Sequence, residues 1–131
     1  VEILLATDGS PQAKKAERAA FGIAKSYKIR MAALFVVNIM SAHSASERER
    51  SIKHGEKILD EVVNEGRKLG IEVRKVLEIG RIGNTILKVA KDLRVSTIVL
   101  GSDGRKGLRF LVGSVTDRVV RNADCTVLVA R

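Results

Sequence analysis

The residues best suited to chemistry lie between Ser96 and Ser114. There a β-branched apolar run breaks into Gly101, Gly104 and Gly107, interleaved with Arg105, Lys106 and Arg109, and a Gly113-Ser114 pair opens an amphipathic segment from Val115 to Ala123. The pattern reads as strand, phosphate-type loop and helix. Glycines let backbone N–H groups come close to an anion, and a helix N-terminus adds unpaired donors with a partial positive charge. Oxyanion binding is the chemistry this combination suits. The second candidate is Ala6-Thr7-Asp8-Gly9-Ser10-Pro11, directly after the first apolar run. Ser10 followed by Pro11 is a helix start, because serine can cap and proline fits the first helical position. Asp8 has two readings. It is a turn aspartate bonding its own backbone, or an acceptor for a sugar hydroxyl or a base amine, placed where open α/β sheets bind ligands.

The elements that must position these loops alternate along the chain. Apolar runs predict strands at Val1 to Ala6, Met31 to Val37, Ile71 to Leu77, Ser96 to Leu100 and Thr126 to Ala130. Each is short and nearly continuously apolar, as strands buried on both faces are. Between them, Ala13, Ala16, Ala20, Ile23 and Ala24 mark one helical face, and Ile52, Leu59, Val62, Val63, Gly66 and Leu69 a second. Ile82, Ile86, Val89, Ala90 and Leu93 mark a third, and Val115, Val119, Val120 and Ala123 a fourth. Regular alternation predicts an α/β fold, a parallel sheet covered on both sides by right-handed crossovers. The polar segment Asn38 to Ser46 reads as a mobile loop.

Bulk properties narrow the setting. The 131 residues suit one domain, 1–131, able to bury roughly two-thirds of its unfolded surface. No apolar run approaches the roughly 18 to 20 residues of a membrane span, so no membrane partner is expected. Val1 to Leu5 reads as a strand rather than as part of a signal peptide, so export is not expected. The single cysteine, Cys125, cannot form an internal disulfide and reads as a buried small hydrophobe, which fits a reducing cytoplasm. A formal charge of +9 attracts polyanions. The basic residues are nevertheless spread along the chain, and three Phe and one Tyr offer little for stacking bases, so specific nucleic-acid binding is disfavoured. His43 and His54 stand alone, without metal-site spacing. No P-loop, nucleophile elbow or oriented Cys–His pair is present, which points to a binding module, with slow turnover at most.

The chain resembles the universal stress protein family along essentially its whole length. The resemblance is carried by Ile3 to Ser10, Leu34 to Val37, Gly80 to Ile82, Ile98 to Gly104 with Gly113 to Thr116, and Cys125 to Val129. It implies a three-layer, five-stranded parallel sheet of order 3-2-1-4-5 with helices on both faces, of the adenine nucleotide alpha hydrolase-like or Rossmann-like kind. It also implies a homodimer that pairs through Thr126 to Ala130. The nucleotide-binding branch of the family is the one this chain is similar to, and the ligand so implied is ATP, with Mg²⁺ or Mn²⁺ carried by the phosphates. By this resemblance Gly101, Gly104, Gly113 and Ser114 hold phosphates. Ala6, Asp8 and Val36, with Thr7 in the same loop, hold adenine and ribose, and Leu100 and Val115 flank them. Arg105 is grouped with the phosphate-binding residues, its other reading being a solvated basic loop. Ser114 also reads as a cap, boxed with Asp117.

Two departures from the family pattern stand out. The motif G-x2-G-x9-G-[ST] has eight residues here, Arg105 to Val112, in place of nine, and the usual proline two residues after Gly80 is Ile82. A nucleotide-free dimeric interaction protein of the same fold is the alternative function.

Overall fold

A computed structural model describes residues 1–102 and 113–131. Among them five strands alternate with four helices: β1 (Ile3–Ala6), α1 (Pro11–Tyr27), β2 (Met31–Asn38), α2 (Ala45–Lys68), β3 (Val73–Gly80), α3 (Ile82–Asp92), β4 (Thr97–Gly101), α4 (Ser114–Asn122) and β5 (Thr126–Ala130). The strands form one parallel sheet of order β3-β2-β1-β4-β5. In register, Leu5 of β1 lies between Ala33 of β2 and Val99 of β4.

Side-chain alternation along the strands divides the core in two. Ile3, Leu5, Ala33, Phe35, Val37 and Val99 point to one face, where α1 and α2 cover them with Ala16, Ala20, Phe21, Ile58, Leu59 and Val62. Leu4, Ala32, Leu34, Ile98 and Leu100 point to the other, against Ile86, Val89 and Ala90 of α3 and Val119 of α4. Leu4, Leu5 and Ile98 are fully buried, each contributing about 1.5–3 kcal/mol of hydrophobic stabilisation.

The helix starts follow local chemistry. Ser10 accepts the Ala13 N–H at 3.1 Å with Pro11 at the first position, and α1 ends on Lys28 in the left-handed region. Ser44 accepts the Glu47 N–H at 3.1 Å, so α2 begins at Ala45, inside the stretch expected to be loop. The remaining residues are tied down: Asn38 closes β2, its carbonyl accepts the Ser41 and Ala42 N–H groups, and Ala42 is buried.

Three further expectations are corrected. β3 and β5 are the sheet edges, so they are half-buried rather than covered on both faces, and Arg74, Lys75 and Glu78 face solvent. Leu69 caps α2 and is exposed, whereas Gly55 and Ile58 complete its buried face. Cys125 precedes an edge strand and is only partly buried. Its thiol is held above the ordinary range, chiefly by loss of hydration, opposed by a backbone hydrogen bond at Ile98 and aided by nearby Asp124. No helix among the described residues is long and apolar enough to cross a membrane.

Candidate functional site

The strand order reverses at β1. Its crossover leads to β2 on one side, while β4 flanks it on the other, and this is where open α/β sheets form a crevice at the carboxyl ends. A cavity of about 450 Å³ occupies that position, on the face covered by α3 and α4. Its floor is apolar, made by Ala6, Leu34, Val36 and Leu100, and its walls are Ile82 and Ile86 of α3 and Val115 of α4. Thr7, Asp8, Ser10 and Gln12 form one polar rim, with Ser102 and Thr116 opposite. A slot with a flat apolar base and a few convergent polar groups is suited to a small planar ligand.

Local hydrogen bonding explains how the rim is held. The Thr7 N–H donates to Leu34 O at 3.0 Å, anchoring the end of β1 to β2. Gly9, at φ 78, turns the chain so that its N–H reaches Thr7 Oγ1 at 3.1 Å and the Ser10 N–H reaches Asp8 Oδ1 at 2.9 Å. That left-handed conformation favours glycine. Asp8 is therefore a turn aspartate through Oδ1, while Oδ2 has no hydrogen-bond partner among the described residues. Both readings of this residue are sterically compatible.

The opposite rim is set by α4. Thr116, 2% exposed, donates from Oγ1 to Gly101 O at 3.2 Å and so pins the helix start to the end of β4. The cap is Gly113, extended at φ −63 and ψ 161, and no side chain caps the helix. The expected Ser-x-x-Asp box does not form. Ser114 is already the first helical residue, where its hydroxyl cannot reach forward to the third N–H, and Asp117 instead accepts from Arg121 at 2.8 Å. The Asp117 N–H bonds Gly113 O at 2.9 Å, so the first-turn amides of Ser114, Val115 and Thr116 have no intrahelical acceptor. Uncommitted amides with the positive end of the helix dipole are an anion-binding arrangement.

Of the residues singled out in the sequence, Ala6, Thr7, Asp8, Val36, Leu100, Gly101 and Val115 line this cavity. Gly113 and Ser114 begin α4 immediately beside it. Gly104 and Arg105, with Lys106, Gly107 and Arg109, lie outside the described residues. Gly101 has a packing reason for lacking a side chain: a Cβ there would lie 2.5 Å from the Gln12 carbonyl oxygen, where α1 crosses the end of β4. Leu34, Ile82, Ile86, Gln12, Ser102 and Thr116 were not anticipated. Leu34 was accessible in principle, since it shares the strand face of Val36; the α3 residues become neighbours only through the crossover from β3.

A second cavity, of about 510 Å³, opens at the opposite end, where β4 and β5 begin and α3 and α4 finish. Leu87, Ala90, Val95 and Ile98 form its apolar floor beside Cys125, and Lys88, Lys91, Arg94 and Asp124 stand at its edge.

The universal stress protein family profile matches residues 2–131. Universal stress protein MJ0531 of Methanocaldococcus jannaschii is 31% identical over 138 residues, covering 99% of this chain and 81% of that protein. The universal stress protein UspA of Lactobacillus plantarum superposes with a TM-score of 0.83 at 26% identity, over 100% of this chain and 97% of that one. A universal stress protein of Archaeoglobus fulgidus, solved in complex with dAMP, superposes at 0.81 with 22% identity, over 100% of this chain and 98% of its own. With its fold, its strand order and the match along nearly its whole length, this chain belongs to the universal stress protein family.

Proposed function

We propose that this protein is an ATP-binding regulatory stress-response protein that holds the nucleotide between the loop after β1 and the loop after β4. The observation that carries this reading is the carboxyl-end cavity, an apolar slot that ends at the uncapped N-terminus of α4. Adenine and ribose lie over Ala6 and Val36, with Asp8 Oδ2 accepting from a ribose hydroxyl or the adenine amine. The phosphates run toward Gly113 and the amides of Ser114 to Thr116. The A. fulgidus relative, which binds dAMP, supports a nucleotide of this class. Among the described residues no group of three His, Cys, Asp or Glu is placed to hold a metal. Mg²⁺ or Mn²⁺ arrives with the phosphates, because such ions prefer phosphate oxygens and water to an all-protein cage. The output is regulatory, with turnover at most slow. Two copies pair through the free edge of β5, whose Thr126 to Ala130 run is uncharged and half-buried.

Calorimetric titration with Mg²⁺–ATP tests the site. The wild type binds, and Gly113→Val shows no binding at millimolar nucleotide, because a side chain there fills the phosphate space and shields the amides. Extended φ and ψ at Gly113 suit valine, so the variant stays folded, with a loss of about 1 kcal/mol because valine is a poorer N-cap than glycine. A wild type that takes up no nucleotide, or a Gly113→Val protein that binds equally well, would leave the nucleotide-free interaction protein as the reading.

A further inference from the structure

The amino-end cavity has no part in the nucleotide reading. We infer that it is a second ligand site, which takes a small amphipathic carboxylate, an acid with an apolar tail of about the size of a medium-chain fatty acid. Its volume, about 510 Å³, is in the range of small-molecule sites, about 300–1,000 Å³. The tail is accommodated by Ala90, Val95 and Ile98, which are buried, with Leu87 and Cys125 half-exposed at the cavity surface.

Charge decides the sign of the ligand. Two helices end here, and free carbonyls would repel an anion. Three on α3 are bonded within the chain: the N–H groups of Leu93, Arg94 and Val95 return to the carbonyls of Val89, Lys91 and Ala90 at 2.9–3.1 Å. On α4 the Val119 carbonyl accepts from the Ala123 N–H, and the Arg118 carbonyl from Asn122 Nδ2 at 2.8 Å. Against these helix ends the lining side chains carry more positive than negative charge. Lys88, Lys91 and Arg94 face a single anion, Asp124. Lys88 is shared with Asp92 at 3.3 Å, while Lys91 and Arg94 have no ion-pair partner among the described residues. Arg94 lines the cavity from the turn that leaves α3, where its backbone is left-handed, φ 53. An apolar floor with two uncommitted cations at its edge complements an acid with a hydrocarbon tail.

The single cysteine at the cavity is a built-in reporter. Alkylation of Cys125 by iodoacetamide, followed by mass spectrometry at fixed pH, is measured with decanoate or decyltrimethylammonium present below their micellar concentrations. Decanoate slows alkylation at least fivefold at saturation, and the cationic amphiphile does not. Lys91→Glu and Arg94→Asn each raise the half-protecting decanoate concentration about tenfold, the usual effect of losing a hydrogen bond to a charged group. Both variants are chosen to fold: Lys91 is exposed, and asparagine tolerates the left-handed conformation. Circular dichroism melts confirm that they do. Equal protection by the two amphiphiles, no protection by decanoate, or unchanged protection in both variants would overturn the proposal.

Discussion

The two cavities are walled by the same two helices, yet they differ in how their polar groups are supplied. At the carboxyl end α3 and α4 contribute their first residues, Ile82 and Val115, and the polar groups are backbone amides and short side chains fixed by turns. At the amino end the same helices finish, only some of their last carbonyls are bonded within the chain, and positive charge comes from long lysine and arginine side chains. A parallel sheet forces this asymmetry. All strands run one way and the crossover helices return antiparallel to them, so the carboxyl end of the sheet collects helix N-termini and the amino end C-termini. The first end therefore suits pre-organised anion recognition, whereas any ligand held at the second by exposed lysine and arginine side chains is expected to bind more weakly and with more sensitivity to salt.

The comparison can be broken most severely at Gly101. Alanine there brings a methyl group against the Gln12 carbonyl at the crossing of α1 and β4, and Gly101→Ala is expected to cost about 2 kcal/mol or more, read as a lowered urea midpoint. Gly113→Val, by contrast, lowers that midpoint by less, about 1 kcal/mol for the poorer cap, while binding is lost. An unaltered midpoint in Gly101→Ala would show that α1 can retreat from the strand.

At the sheet edge, the Thr126 N–H bonds Ser96 O and the Ser102 N–H bonds Ala130 O, so by strand alternation the amides of Val127 and Val129 point away from β4. Val127→Pro therefore removes an outward donor without cutting the β4–β5 ladder. Sedimentation should show a dimer for the wild type and a folded monomer or aggregate for the variant. A monomeric wild type at high micromolar concentration rules out pairing through β5.

Asp8→Ala sharpens the carboxyl-end site itself. Loss of the acceptor weakens Mg²⁺–ATP binding by about 1–3 kcal/mol, and calorimetry that returns the wild-type affinity confines Asp8 to its turn role. The smallest effects compare two serines. Ser10→Ala removes the cap of α1 and lowers stability by about 1 kcal/mol. Ser114→Ala, at an exposed first helical position without a capping bond, changes it by less than about 0.5 kcal/mol. Equal losses in denaturant melts would mean that Ser114 caps α4 after all.

Much of the fold was legible in the chain because its signals are local. Continuous apolar runs in β1, β2 and β4, the Ser10-Pro11 start and the helical periodicities each depend on residues within a few positions of one another. The start of α2 at Ala45 was equally local, in the Ser44 and Glu47 pairing, and was hidden by the polar composition around it. Edge exposure was not local: nothing within Val73–Gly80 states which strand lies beside it, although its alternating charges hinted at a solvent face.

By itself the sequence determined the alternation of strands and helices, the helix start at Ser10-Pro11 and the family pattern that links both glycine-bearing loops. Only the tertiary structure decided that Ile82 and Ile86 wall the same slot as Ala6, that Gly113 rather than Ser114 caps α4, that Gly101 is bare because α1 crosses it, and that a basic cavity lies at the far end. The reason is sequence separation. A cap or a turn is settled within one or two turns of chain, whereas a crevice forms between segments that meet only after crossover helices have set the strand order.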